Sequence, residues 1–528
     1  MVRSLAISLL AVAGAAVSAV VVPESRDPFN CTGVAAVSPW CRSSEVKYTR
    51  DVYYVGGRLI NTGTANITAD QLYVEKLTPS CGVQHPHPLV FFHGGAVSGV
   101  TWLNTPDGRT GFASYFLDRG YQVYLLDHTG VGRSSQEDTK EYVLWNSTGV
   151  ESIQSGFTAP ELNPTYPQAV LHTQWPGTGQ KGDPYFDQFS KGVIPFTSNW
   201  TMGELSMRAS GCDLLELIGP SYLISHSSGA QYPILLSNDC PDLVAGNINL
   251  DHSTQPFWNY GSALNAGSSI RPWGLANTPL TYDPPISNYT ELNKEWDGND
   301  TLALRRCYRQ TEPARQLPNI AKVPYLCTTG EASVHATYDH CVINYLNQAG
   351  VKTDWIKLAD VGVHGNGHFG HLELNNLDIA NVVRALQATR GAADSICIAV
   401  NFYLHTQASP SAVVNFRVDA SDATQSTDSA TTAFMTLKDF ALNKNSKAVD
   451  RKLAFSISLQ PDQFSLMGIY LGSLKDFDSR IKSAMLKGLP DPTTDARELD
   501  WLPSVKDLND DDPIEIPVRP IRIYSPRV

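Results

Sequence analysis

Through the first 390 residues short apolar runs alternate with amphipathic stretches, and this alternation constrains the fold more than any other feature of the chain. An apolar run of five to seven residues cannot leave either side to water, so it reads as a strand covered on both faces, with the amphipathic segments as its covering helices. The runs lie at 88–92, 122–126, 221–225, 244–250, 323–327 and 354–358, each followed by a turn rich in Gly, Ser or His. Three stretches repeat apolar residues at helical spacing. They are Phe112, Tyr115 and Phe116 ahead of Gly120; Leu205, Ala209, Cys212 and Leu215 ahead of Gly219-Pro220; and Ile379, Val382, Val383 and Leu386. Strand and helix in alternation predict an α/β fold around a mostly parallel sheet.

Two long segments break the rhythm, 134–201 and 253–320, both carrying aromatic residues (Trp258, Trp273 and Trp296 in the second). Insertions of this length between strands are expected to be lids or pocket walls. Beyond residue 390 the pattern changes. Leu453, Phe455, Ile457 and Leu459 alternate with small residues as in a half-buried antiparallel strand, while Phe434, Leu437, Phe440 and Ala441 are spaced as a helix face. The expected organisation is a leader at 1–19, a main α/β unit at 20–390, a partial α+β unit at 395–507 and an acidic, Pro-rich tail at 508–528.

One Arg precedes an apolar run from Leu5 to Val17, followed by Ser18 and Ala19, which reads as a signal peptide cleaved near Ala19. The run is shorter than the roughly 20 residues a membrane span needs. Export fits six sequons, at Asn30, Asn66, Asn146, Asn199, Asn288 and Asn299. It also fits the eight cysteines before residue 390, enough for up to four disulfides, with Cys31–Cys41 the one pairing suggested. No cysteine pair has metal-site spacing, so no metal is expected. A net charge of -12 disfavours nucleic acid and anionic surfaces and leaves a small uncharged or cationic partner.

The chemistry concentrates at 221–229, SYLISHSSG, where a strand feeds a turn of the form small-x-Ser-x-Gly and then an apolar segment. This places Ser227 on a sharp strand-to-helix bend with its hydroxyl above the sheet edge, Ser225 standing where Gly is usual. Pro233 is expected to bend the helix that follows. Upstream, His93-Gly94-Gly95 also ends a strand; the N–H groups of Gly95 or Ala96, with that of Ser228, are placed to bind an oxyanion. A serine hydroxyl needs a base. The Gly-rich loop at 361–368 supplies His368 as first choice and His364 as second, while His226 belongs to the bend itself. For the orienting acid the residues leave Asp251, at the end of the run 244–250, level with Glu331 and Asp339 after the next run.

Residues 85–390 resemble the α/β-hydrolase superfamily, and within it a group of secreted bacterial and fungal esterases. The resemblance runs through HGGAVSGVTWLNTPDGRTGFASYFLDRGYQVYLLDHTGVGRSS from His93, LHTQWPGTGQKGDP from Leu171, SHSSGAQYP from Ser225, NLDHSTQPF from Asn249 and GNGHFGHLELNNLDIA from Gly365. In that group the acid follows the sixth strand, which implies Asp251 in place of the usual Glu, with Glu331 as the alternative. The resemblance implies a serine esterase with a Ser227–His368–Asp251 triad, acting without a cofactor on a small or medium uncharged ester. A lactonase or carbon–carbon lyase would use the same fold. Residues 395–507 resemble part of the substrate domain of berberine-bridge-type oxidases, through FSLMGIYLGSLKDFDSRI and ARELDWLPSV. The flavin-binding half of that family is missing, so no FAD is expected. An FAD-linked oxidase and a non-catalytic binding protein are the remaining readings.

Overall fold

All six apolar runs are strands, each within two residues of its expected bounds, and they belong to one eight-stranded sheet. The computed structural model describes residues 31–145 and 149–388, with five short strands beyond residue 399. In chain order the sheet strands are β1 (Tyr48–Asn61), β2 (Asn66–Pro79), β3 (Leu89–Phe92), β4 (Val123–Asp127), β5 (Ser221–His226), β6 (Val244–Leu250), β7 (Tyr325–Thr329) and β8 (Thr353–Lys357). Their spatial order is β1-β2-β4-β3-β5-β6-β7-β8. The first two are antiparallel to each other, β2 is antiparallel to β4, and every later pairing is parallel.

Burial on both faces explains the unbroken apolar runs, because alternate residues of one run feed two different cores. Val90, Phe92, Leu126 and Leu223 join one core, closed by α2 (Trp200–Ile218), α3 (Gln231–Asp239) and α4 (Asp339–Gln348). Leu89, Phe91, Leu125 and Ile224 join the other, closed by α1 (Phe112–Asp118) and α5 (Asn376–Ala388). The hairpin β1–β2 gives no such signal, since most of β1 is an exposed edge.

The buried face of α2 follows its spacing only in part: Leu215 is buried and Cys212 packs half-buried against the same core. Leu205 and Ala209 are exposed, while Gly203, Met207, Ser210, Gly211 and Leu214 face inward. Close approach selects small residues there: a Cβ on Gly56 of β1 would stand 2.4 Å from Ser210 Oγ.

Beyond residue 399 the expected strand is present as Lys452–Ile457, antiparallel to Val400–His405. Phe434, assigned above to a helix face, lies instead in a strand, Thr432–Thr436. The leader, Asn30, Asn146 and the tail from residue 508 fall outside the described residues. The disulfides are Cys31–Cys41, Cys212–Cys240 and Cys307–Cys341, and Cys81 is also disulfide-bonded. Cys327, counted above among the possible partners, is a free thiol buried in β7. Among the described residues no helix is long and apolar enough to cross a membrane.

Candidate active site

At the end of β5 the chain enters a 3-10 turn, Ser227–Ala230, that leads into α3. Ser227 has φ 55°, a left-handed conformation that costs an L-residue about 1–3 kcal/mol and persists only where the surroundings enforce it. Gly229 permits the enforcement, since a Cβ there would stand 2.2 Å from the His93 carbonyl oxygen of β3's exit. Ser225 is accommodated by a partner: its hydroxyl donates to Asn249 Oδ1 on β6 at 2.6 Å. Pro233 lies in the first turn of α3, where a missing N–H breaks no helical bond.

Three far-apart side chains meet at this bend. Ser227 Oγ is 2.9 Å from His368 Nε2, and His368 Nδ1 is 3.3 Å from Asp251 Oδ2. Asp251 follows β6 with φ 48°, and its second oxygen accepts the Gly330 N–H at 2.9 Å. Aspartate therefore reaches the imidazole despite being one methylene shorter than the glutamate expected there. Burial favours the neutral acid at Asp251, but the His368 hydrogen bond, the neighbouring imidazoles and the Gly330 N–H outweigh it and hold the pKa below the ordinary value. His368 is also pushed down, by burial and by the nearby His335, with Asp251 opposing. A neutral His368 that donates from Nδ1 leaves Nε2 free to accept the Ser227 proton.

His368 is held from several sides. His226 Nε2 donates to the His368 carbonyl oxygen at 2.8 Å. Glu373 accepts the Gly367 N–H at 3.0 Å and the Asn366 side-chain amide at 2.8 Å. Glu373 in turn meets His172 Nε2 at 2.9 Å, and His172 Nδ1 meets Glu161 at 2.7 Å. Burial lowers the His172 pKa, yet the two carboxylates outweigh it and raise the group above its ordinary value. The first insertion thus clamps the loop that carries His368. It also packs Phe157 against the His368 ring, 5.0 Å between centroids, and builds a small core from Ile153, Trp175, Phe186, Phe189 and Phe369. Sequence reading missed His172 and Glu373, whose only signal was their presence in the esterase-like stretches.

The other candidates fall elsewhere. Glu331 bonds the Gly365 N–H at 2.8 Å and His364 at 3.2 Å, and the His364 side chain is 62% exposed. Neither touches Ser227 or His368. Asp339 bonds His335, the ring stacked on His368. Ala96 has φ 58°, and a Cβ on Gly95 would lie 3.0 Å from Ser228 Oγ, so these segments face each other across the bend. Among the described residues no acceptor takes the N–H of Gly95 or Ala96. Asn66, Asn288 and Asn299 are exposed, whereas Asn199 is the half-buried N-cap of α2 and accepts the Met202 N–H.

Two groups of donor atoms invite comparison with metal sites. In one, Cys307 and Cys341 are joined as a disulfide beside His340. In the other, His252, Cys327 and Asp339 gather within 4.8 Å, but burial holds the Cys327 thiol protonated and Asp339 is engaged by Thr329 and His335.

Strand order, bend and crossover helices define an α/β-hydrolase. No family model matches the chain. It is 37% identical over 332 residues to the probable secreted lipase phiG of Fungal sp. (strain ATCC 74256), an alignment covering 63% of this chain and 87% of the lipase. Among solved structures, a novel bacterial esterase is 19% identical with a TM-score of 0.42, covering 66% of this chain and 98% of the esterase. Naproxen esterase from Bacillus subtilis is 13% identical with a TM-score of 0.30, covering 65% of this chain and 93% of that enzyme. The likeness to the fungal lipase spans nearly the whole of that protein, and the chain belongs to its family: it is a carboxylic ester hydrolase. The oxidase resemblance of residues 395–507 finds no support in these comparisons.

Proposed function

We propose that the chain is a secreted serine esterase that works by two-step acyl transfer. The convergence of Ser227, His368 and Asp251 carries this reading. His368 takes the Ser227 proton as the hydroxyl oxygen attacks the ester carbonyl, then returns it to the departing alcohol. Asp251 holds the tautomer and stabilises the imidazolium. The N–H groups of Gly95 or Ala96 and of Ser228 receive the oxyanion, one such donor being worth about 3–4 kcal/mol. Water then releases the acid by the same steps in reverse order.

The half-buried Phe157 beside His368 offers the substrate an apolar surface. This favours an uncharged ester with an apolar acyl or alcohol group, in keeping with the lipase name of the fungal relative. The disulfides are consistent with an extracellular location, and exposed Asn66, Asn288 and Asn299 are the sequons we propose to carry glycans.

Fluorophosphonate labelling followed by peptide mapping tests the nucleophile. Label on Ser227 is expected, and its absence separates a binding protein from a hydrolase. Ser227→Ala should fold as the parent does and lose about 10⁶-fold in kcat on a p-nitrophenyl ester. Undiminished turnover in that variant would remove Ser227 from the mechanism. A base must be neutral, so kcat/KM should fall only as pH drops through the lowered His368 pKa, below the ordinary value of about 6.5.

A further inference from the structure

A second imidazole stands behind the first. The His335 ring lies parallel to that of His368, with 4.5 Å between centroids and 7° between planes. Its Nδ1 is 3.0 Å from Asp339 Oδ1 and its Nε2 is 3.4 Å from Ser253 Oγ. Ser253 Oγ lies 3.5 Å from Ser227 Oγ, and the Ser253 N–H donates to the Ser227 carbonyl oxygen at 3.1 Å. The two side-chain contacts to Ser253 are long, as hydrogen bonds of unliganded sites often are before substrate tightens them. On the far side, Asp339 Oδ2 accepts the Thr329 hydroxyl at 2.6 Å, whose oxygen accepts the Trp355 indole N–H at 2.9 Å.

Counting protons gives this chain a direction. Thr329 spends its only proton on Asp339 Oδ2, so the contact between Oδ1 and His335 needs a proton from the acid or from the ring. If the acid supplies it, His335 donates from Nε2 to Ser253, Ser253 donates to Ser227 Oγ, and Ser227 donates to His368. If the ring supplies it, Nε2 becomes an acceptor, Ser253 turns its proton away, and the oxygens of Ser253 and Ser227 face each other with no proton between them. Burial favours the first, since it pushes the Asp339 pKa up and the His335 pKa down. The groups facing Asp339 are Asp251 and His252 after β6, Cys327 and Thr329 of β7, His368, and its own neighbours His335 and Tyr338.

We propose that Ser253, oriented by His335 and Asp339, donates a hydrogen bond to the Ser227 oxygen and stabilises it as leaving group when the acyl-enzyme breaks down. This rests on Ser227 being the nucleophile. In that step water adds to the acyl carbon and gives a proton to His368. The bond from carbon to Ser227 Oγ breaks, its electron pair stays on Oγ, and Oγ takes the proton from His368. Ser253 transfers nothing; it lowers the energy of the charge that develops on Oγ. Acylation gains nothing from the same bond, because a donor facing Oγ does not strengthen it as a nucleophile.

The test is stopped-flow hydrolysis of p-nitrophenyl acetate by the full chain, which resolves the acylation burst from the steady state. Ser253→Ala should slow deacylation about tenfold, the worth of one hydrogen bond, and leave the burst rate within about twofold of the parent. KM should then fall with kcat, leaving kcat/KM unchanged. Asp339→Ala should show the same split, and Asp339→Asn should recover the loss at pH 7, because the carboxamide donates to His335 and accepts from Thr329. In the parent, kcat should decline as pH rises through the raised Asp339 pKa, and in Asp339→Asn that decline should vanish. Deacylation unchanged in Ser253→Ala, or no recovery in Asp339→Asn, overturns the proposal. Absence of fluorophosphonate label on Ser227 in the parent is read separately and overturns the nucleophile assignment together with what is built on it.

Discussion

The chain sets two histidine–carboxylate pairs side by side, and only one of them meets a serine. His364 and His368 sit four residues apart on one loop. His364 pairs with Glu331 at the surface, while His368 pairs with Asp251 in the interior. Residue types, loop and separation are alike, yet water surrounds the first pair and protein the second. Charge pairing at the surface is screened and worth about 0–1 kcal/mol, whereas a buried pair aimed at a strained hydroxyl can direct a proton. Position relative to the bend at Ser227 makes the difference.

The most severe break in this comparison is Asp251→Asn. It should leave the geometry intact while holding His368 in the wrong tautomer, lowering kcat by about 10⁴. Steady-state kinetics beside Glu331→Gln would check it, and an equal loss in both would erase the distinction.

A smaller effect is expected at the clamp that holds the loop. His172→Leu leaves the buried Glu373 without its imidazole partner and, below about pH 6.5 where that imidazole is protonated, should cost about 3–5 kcal/mol in denaturant unfolding. The sign of its pH dependence follows from the raised pKa of His172. The stabilisation is complete below the unfolded value of about 6.5 and is lost as pH rises through the folded value. Parent stability should therefore drop through that window, and the variant should lose this component of the drop.

Glu331→Gln is the smallest. With its partner exposed, kcat should stay within about threefold and stability within about 0.5 kcal/mol of the parent. A larger loss would make the surface pair part of the machinery.

Much of this was legible in one sequence. The strands β3 to β7 show as apolar runs because a strand buried on both faces has no polar side to display, the half-buried edge strand β8 shows through Trp355 and Ile356, and the bend at Ser227 shows because close crossing demands small neighbours. The edge strand β1 did not show, since a strand facing solvent along most of its length has no such run, and in β2 charged and polar residues such as Asp70, Glu75 and Lys76 interrupt the apolar ones. The buried face of α2 was legible at Cys212 and Leu215 but not at its N-terminal half, because a helix pressed against a strand needs small residues where spacing arguments look for large ones. The tie between Asp251, Glu331 and Asp339 could not be broken by spacing, because all three follow strands that end at the same sheet edge. Cys327 counts as a possible disulfide partner in the sequence because composition gives the number of thiols without showing which are walled off in a strand.

The amino-acid order by itself determined the strand–helix alternation, the position of Ser227 on its turn and the supply of imidazoles and carboxylates, because these follow from local periodicity and local sterics. Tertiary structure alone decided which acid meets which base, that the first insertion grips the loop of His368, and that a second histidine lies parallel to it. Those are contacts between residues more than thirty positions apart, and they depend on where the sheet brings its ends together and on which side chains it removes from water.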